Sequence, residues 1–383
     1  MMPRPLSITI NYDRCLKVFL FVAPIIWLPG ITQNNLQMLI LDYGALMLFG
    51  LSIALPPKRQ FANYNIFLVL CLYCLVSSIN NFKGYPVSLI HLTAGCLLYF
   101  SIVRSVEDVK GVIRILLYLS MLNIFVFLCQ FIKFDFVYAD SNIRIMEHLI
   151  SNPGLMARNY HLAYFLSFTA PFMFLFGKKG AVLAAISILT VFMSGSYDGP
   201  SYACILSLFC GLAVFVLLKF GKQTGLILIS ILCILGVALN AGNYKTIKIK
   251  TEGRQKTTLY LAREAFINPF IGRGIGSLEG DKNLFGENPD FYPAFSEYMR
   301  ITNEAGVLPF ILICIGILRY FRSIGVNSPA FLSSFSVMAC YPLFHEVFRF
   351  ARLSILIMVI IALYEAHCLD KRKEISYGNQ ITV

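Results

Sequence analysis

The sequence predicts an all-α, polytopic integral membrane protein, and three observations carry that prediction. Hydrophobic residues make up 57% of the 383 and charged residues only 14%. The mean hydropathy is +0.71, above what a water-soluble domain of this length shows. Apolar runs of about 20 residues, enough to cross a bilayer as helix, recur from one end to the other. The chain therefore reads as one membrane domain, 1–383, with about twelve spans.

Taken in order, the apolar runs lie near 17–30, 36–55, 64–80, 86–103, 112–131, 159–176, 180–194, 200–218, 225–240, 305–321, 328–347 and 350–368. The N-terminal stretch MMPRPLSITINYDRCLK has no small-residue cleavage site, so the first run is expected to be a retained span. Alternate connectors carry the cations: Arg4, Arg14 and Lys17; Lys58 and Arg59; Arg104 and Lys110; Lys178 and Lys179; Lys219 and Lys222; Arg319 and Arg322; Lys371, Arg372 and Lys373. The positive-inside rule places these connectors, and both termini, in the cytoplasm. ITQNNLQ, NNFKGYP, SGSYDGP and two long loops, 132–158 and 241–304, then face outward.

The formal charge of +12 is distributed over the ends of spans rather than one soluble face, so no nucleic acid is expected as a partner. The eleven cysteines fall almost wholly inside apolar runs and read as packing residues. Cys71 and Cys74 form a CxxC in mid-span, without the exposure or further ligands that a redox or zinc site needs. No DxD, HExxH or His/Cys cluster is present, and the histidines are scattered at 91, 148, 161, 345 and 367. Neither metal nor cofactor is expected, and any phosphate charge would have to be met by side-chain cations.

The loop 241–304 is the long polar segment around which the function is read. Its first part gathers Lys245, Lys248, Lys250, Arg254, Lys256 and Arg263 against Glu252. Its second part reverses the balance, with Glu264, Glu279, Asp281, Glu287, Asp290, Glu297 and Glu304 against Arg273, Lys282 and Arg300. Residues 254–266 have helical spacing that predicts a short helix at the membrane surface, with Leu259, Ala262 and Phe266 on one face and Lys256, Tyr260 and Arg263 on another. Asn268-Pro269 should end it, because proline disfavours helix in the residue before it. A second helix is expected from near Ala294 through Gly306 into the next span.

Each candidate has a plain structural reading beside the functional one. GRGIG at 272–276 lacks the βαβ setting of a nucleotide loop; it is either a tight turn that needs glycine or a set of N–H groups lining an anion site. Arg254 and Arg263 are either solvated or lipid-facing loop arginines, or forked donors for diphosphate oxygens. Arg158 adds a cation beside the other outer loop, and His161 follows it. Asp42 and His91 lie within spans, where an ionisable group marks either function or a tie between helices. FHEVFRFAR brings His345, Glu346, Arg349 and Arg352 together, as an interfacial collar or as groups that close the site from the far side.

AREAFINPFIGRGIGSLE, followed by FSEYMRITNEAGVLPFILICIGILRY, resembles the signature of the O-antigen ligase and Wzy-type polymerase superfamily, in which an NP-x-x-G-x-G-x-G loop precedes an outer helix and a glycine-led span. MSGSYDGPSYACILSLFCG and GLMARNYHLAYFLSFTAPF are similar to further family segments, so the resemblance covers roughly 150–370. It implies a GT-C-like membrane glycosyltransferase of the bacterial inner membrane, acting at the periplasmic face on glycans linked to undecaprenyl diphosphate, without metal. The family's ligases carry a histidine where this chain has Phe295, although Ser296 and Gly306 match; the departure favours a polymerase. Arg263 and Gly274 also fit an arginine pattern of such polymerases.

On this reading Arg263, Arg254, Arg158, Arg273 and Arg300 stabilise the leaving diphosphate, with Gly274 and Arg349 in the binding site. Glu297, Glu304 or His345 assists the acceptor hydroxyl. Implied partners are the lipid-linked donor and acceptor, the bilayer, a chain-length regulator and a flippase. The alternatives are ligation of the finished glycan to lipid A core and a non-enzymatic exporter of lipid-linked sugars.

Overall fold

The computed structural model describes residues 11–22, 34–59, 87–131, 159–195, 199–221, 223, 226–227, 230, 244–270, 272–274, 277–280, 296–308, 310–311, 314–315, 328–343 and 351–381. Every regular element among them is helical. The runs expected at 64–80 and 225–240, the loop 132–158 and residues 344–350 lie wholly or largely outside the described residues.

In chain order the helices are α1 (Tyr12–Val22), α2 (Asn34–Ala54), α3 (Val87–Ser105), α4 (Val109–Phe131), α5 (Asn159–Met173), α6 (Gly177–Gly195), α7 (Gly199–Phe220), α8 (Tyr244–Ile267), α9 (Glu297–Glu304), α10 (Pro329–Cys340) and α11 (Ala351–Ile381). Four stretches among the described residues are long and apolar enough to cross a membrane: Val109–Cys129, His161–Ser194, Ala203–Phe220 and Leu353–Asp370. The second is folded in two. Gly177 takes φ +66° after a 3₁₀ turn at Phe174–Phe176, a conformation that costs glycine little, and α6 packs back along α5. Ile40–Ala54 and Pro329–Leu343 are shorter apolar helices.

Helices α2, α3 and α11 form one packed group, and α5, α6, α7 and α10 form another. Phe172 of α5 stands edge-on to Phe331 of α10 at 4.8 Å, and Phe331 lies 4.7 Å from Tyr364 of α11, so aromatic side chains join the groups. Several hydroxyls inside the bundle find backbone partners, which a medium without water favours. Ser120, Ser167 and Ser207 donate to carbonyls one turn back. Ser333 donates across to Gly211 O and Ser334 to Phe168 O. A Cβ on Gly211 would meet Val337 Cγ2 at 2.4 Å, so the bare glycine lets α7 and α10 touch.

One end of the first group is ionic. Lys17 pairs with Asp108 at 2.9 Å, Lys58 with Glu107 at 2.7 Å, and Arg59 grips Asp370 through two nitrogens. Arg104 donates to Ser52 O and Leu55 O, which fixes the ends of α2 and α3 side by side and makes them parallel. Asp13 accepts from the N–H groups of Glu107 and Asp108, and Asp108 in turn caps α4 by accepting from Gly111 N–H. The hydrogen bond from Lys17 and the one from Gly111 hold the Asp108 carboxyl below its ordinary range. Its contribution to stability is therefore present above the usual carboxylate pKa and lost as pH falls through the lowered one. Asp108→Ala should cost about 1 kcal/mol, the ordinary worth of an N-cap, read as a lower thermal midpoint in detergent.

Candidate functional site

The polar loop folds onto the end of α10. Helix α8 begins at Tyr244 and ends at Ile267, just ahead of Asn268-Pro269 as expected, but it starts about ten residues before the helix read from spacing. Thr257, Leu261 and Ala265 form its buried face. Leu261 packs with Tyr260, Met299 and Leu278, so α8 lies against α9 and the 3₁₀ turn Ser277–Gly280.

The outward face of α8 corrects the expected one. Leu259 and Phe266 are 71% and 80% exposed, and Ile267 and Phe270 are also exposed. Arg263 is exposed as well, and its position places it on this same face, one turn from Leu259 and from Phe266. It makes no ion pair among the described residues. The apolar side chains and Arg263 were expected on separate faces; instead Arg263 shares the exposed face with Leu259 and Phe266, and the exposed Lys256 lies two turns before it on that face.

Helix α9 is short and almost wholly held. Glu297, Arg300, Asn303 and Glu304 are buried. Arg300 donates to Glu297 Oε1 from Nε at 2.8 Å and from Nη2 at 2.5 Å, and to Glu304 Oε2 from Nη1 at 3.3 Å. Two carboxylates therefore share one guanidinium at i,i+3 and i,i+4 spacing. Asn303 Nδ2 donates to Leu261 O on α8 and to Met299 O. On the other side Ser296 Oγ donates to Pro342 O and the Tyr298 hydroxyl to Ala339 O, fastening α9 to the end of α10. Burial pushes the Tyr298 phenol up to about 12, so it remains a donor throughout the physiological range. Tyr341, just past α10, stacks on Tyr164 of α5 at 4.1 Å.

The GRG turn caps α9. Arg273 N–H donates to Asn303 O and Gly274 N–H to Glu304 O, both at 2.8 Å. These are carbonyls that a helix end leaves without partners. Gly272 N–H donates to Asn268 O, and Val307 N–H closes the same corner on Pro269 O. The N–H groups of Gly272, Arg273 and Gly274 thus serve the fold, as the structural reading of the turn requires; Ile275 and Gly276 lie outside the described residues. Gly306, at φ +100°, ends α9. The helix expected to run unbroken from Ala294 into the next span is therefore interrupted there, and helical residues resume at Val307.

Gly272 carries a prediction. A Cβ there would stand 2.5 Å from Glu304 O and 2.6 Å from Gly306 N, at φ +68°. Gly272→Ala should destabilise the loop by about 1–3 kcal/mol, seen as earlier proteolysis of 241–304 while the membrane bundle stays intact.

Of the candidate site arginines, the three whose side chains are described occupy three different settings. Arg263 faces outward, Arg273 pairs with Glu264 at 3.5 Å, and Arg300 is enclosed between Glu297 and Glu304. Arg254 lies on α8 with its side chain outside the described residues, as do Arg158, His345 and Arg349 altogether. Among the described residues no group of three or more His, Cys, Asp or Glu is arranged to hold a metal ion.

Two residues weighed separately in the sequence prove to be partners. His91 Nδ1 and Asp42 Oδ2 are 2.8 Å apart between α3 and α2, both side chains buried. Further along α3, the Tyr99 hydroxyl donates to Glu365 of α11. The sequence reading missed that bond, along with the anchors Ser296, Tyr298 and Asn303. The chain matches no protein-family model and no curated protein.

Proposed function

We propose that the protein is a membrane glycosyltransferase of the Wzy polymerase type, which extends a glycan carried on undecaprenyl diphosphate at the periplasmic face of the bacterial inner membrane. The observation that carries this reading is Arg263 within the apolar outward face of α8. Leu259, Phe266, Ile267 and Phe270 suit the outer leaflet, and a forked cation among them suits a phosphate that arrives attached to a lipid. The resemblance of 262–279 and 295–320 to the polymerase signature supports the same assignment, with about twelve spans and a GT-C-like fold.

The chemistry is attack of a sugar hydroxyl of the incoming lipid-linked repeat on the anomeric carbon of the growing chain. The new C–O bond forms as the bond to the diphosphate breaks, the hydroxyl proton passes to a base, and the carrier leaves as its diphosphate. Arg263 stabilises the charge gathering on that leaving group. A carboxylate of α9 takes the proton. Glu304 suits this better than Glu297, since it meets the Arg300 guanidinium at 3.3 Å whereas Glu297 meets it at 2.5 and 2.8 Å. Arg300 and Arg273 hold carboxylates in place.

Analysis of lipid-linked products tests the reading. A strain lacking the protein should accumulate single repeats and no long chains. Long chains stranded on the carrier would make it a ligase, and absence of repeats at the outer face would make it an exporter.

A further inference from the structure

We infer that Asp42 and His91 form a proton-binding site inside the membrane bundle, independent of the loop chemistry. Asp42 is 6% and His91 1% exposed, and each uses one polar atom on the other. Each has a second one left over. Asp42 Oδ1 and His91 Nε2 are fully buried and have no hydrogen-bond partner among the described residues. A static tie between helices needs one hydrogen bond and gains nothing from two further polar atoms buried without partners, each at a cost of about 1–3 kcal/mol.

The arrangement suits a group that changes protonation. With one shared proton the pair carries no net charge; without it the pair carries one buried negative charge. Imidazole can receive a proton on one nitrogen and release one from the other, and Nε2 is the nitrogen left open here. Intramembrane carboxylate and imidazole chains are the usual material of proton relays.

The neighbouring elements extend the polar line toward the ionic end of the bundle. One turn past His91, α3 has Gly95 in place of a side chain, and a Cβ there would be 3.4 Å from Ser354 Oγ of α11. That hydroxyl is also buried without a partner among the described residues. Tyr99, about 12 Å along the helix from His91 by rise per residue, donates to Glu365. Five residues on, Asp370 meets Arg59 at the ionic end. Helix α1 carries its ionisable groups at that same end, where Tyr12 meets Ser101 and Lys17 meets Asp108. Among the described residues, then, Cys96, Tyr99 and Glu365 are the titratable groups next along the line from the pair.

The experiment uses dicyclohexylcarbodiimide, an apolar reagent that modifies protonated carboxyls, on the full-length protein in phospholipid vesicles. Mass spectrometry should place an adduct on Asp42 whose yield rises at least several-fold as pH is lowered between about 8 and 5. His91→Gln, which retains a hydrogen bond to Asp42 but cannot hold the proton, should shift that profile by about one pH unit or more. Glu365→Gln should slow labelling after a pH step applied from the side of Arg59 and Asp370. Absence of an adduct at Asp42 across this range in the wild-type protein would overturn the inference, and that measurement needs no variant to fold. So would a profile that His91→Gln leaves unmoved, which would reduce the pair to a tie between α2 and α3.

Discussion

Arg263→Ala should abolish glycan chain growth while leaving the protein inserted and folded. The side chain is exposed and has no ion pair among the described residues, so its removal breaks nothing that holds α8. Surface truncations of that kind stay within about 0.5 kcal/mol of the parent. The expected loss of turnover is about 100-fold or more, the scale seen when one preorganised donor to developing negative charge is deleted. Arg263→Lys should recover only part of it, because an ammonium supplies a point charge and not the fork that meets two oxygens at once. Chain-length profiles of lipid-linked products, read beside thermal midpoints in detergent, check both halves. Normal long chains from Arg263→Ala would remove this residue from the reaction and take the main support from the proposed function.

The placement of Arg263 also shows where sequence reading reaches its limit. Helical spacing on α8 was legible, and so was its end at Asn268-Pro269, because both are local effects of side-chain periodicity and proline sterics. The inward face was not. In water, Leu259 and Phe266 would mark the buried side; beside a bilayer the apolar side can equally face lipid, so hydrophobicity no longer tells in from out. Of the residues that do face in, only Leu261 is large and apolar; Thr257 and Ala265 are small or polar and leave little trace in a hydropathy pattern. The need for glycine in the GRG turn was readable from composition. Its partner, the end of α9, was not, because the turn reaches Asn303 and Glu304 some thirty residues on.

Asp42 and His91 were each conspicuous as ionisable residues in apolar runs, yet they are 49 positions apart and lie on helices separated by another run. Their pairing is a property of how α2 and α3 pack, which no local pattern encodes. The Glu297, Arg300 and Glu304 cluster is the opposite case. Its i,i+3 and i,i+4 spacing lay in plain view as a helical ion-pair pattern, whereas the functional reading distributed the three between acid–base and phosphate roles. Opposite charges at helical spacing within a short segment are better tested first as partners.

That cluster gives the second large effect, this time on stability. Arg300→Ala would leave Glu297 and Glu304 buried without the guanidinium they share, and breaking a buried pair from one side costs about 3–5 kcal/mol. The loss should be local. α9 is fastened to α8 through Asn303 and to α10 through Ser296 and Tyr298, so 241–304 should come loose from the end of α10 while the apolar helices remain assembled. Limited proteolysis would show cleavage in the loop before the bundle, and activity would fall with it. Glu304→Gln removes one of the two negative charges and keeps an acceptor for Nη1, so its cost should be much smaller. Its turnover is then informative: a folded Glu304→Gln that is inactive supports the carboxylate as base, whereas full activity excludes it. If instead Arg300→Ala is inactive but unfolds and is cleaved like the parent, Arg300 acts on substrate rather than on α9.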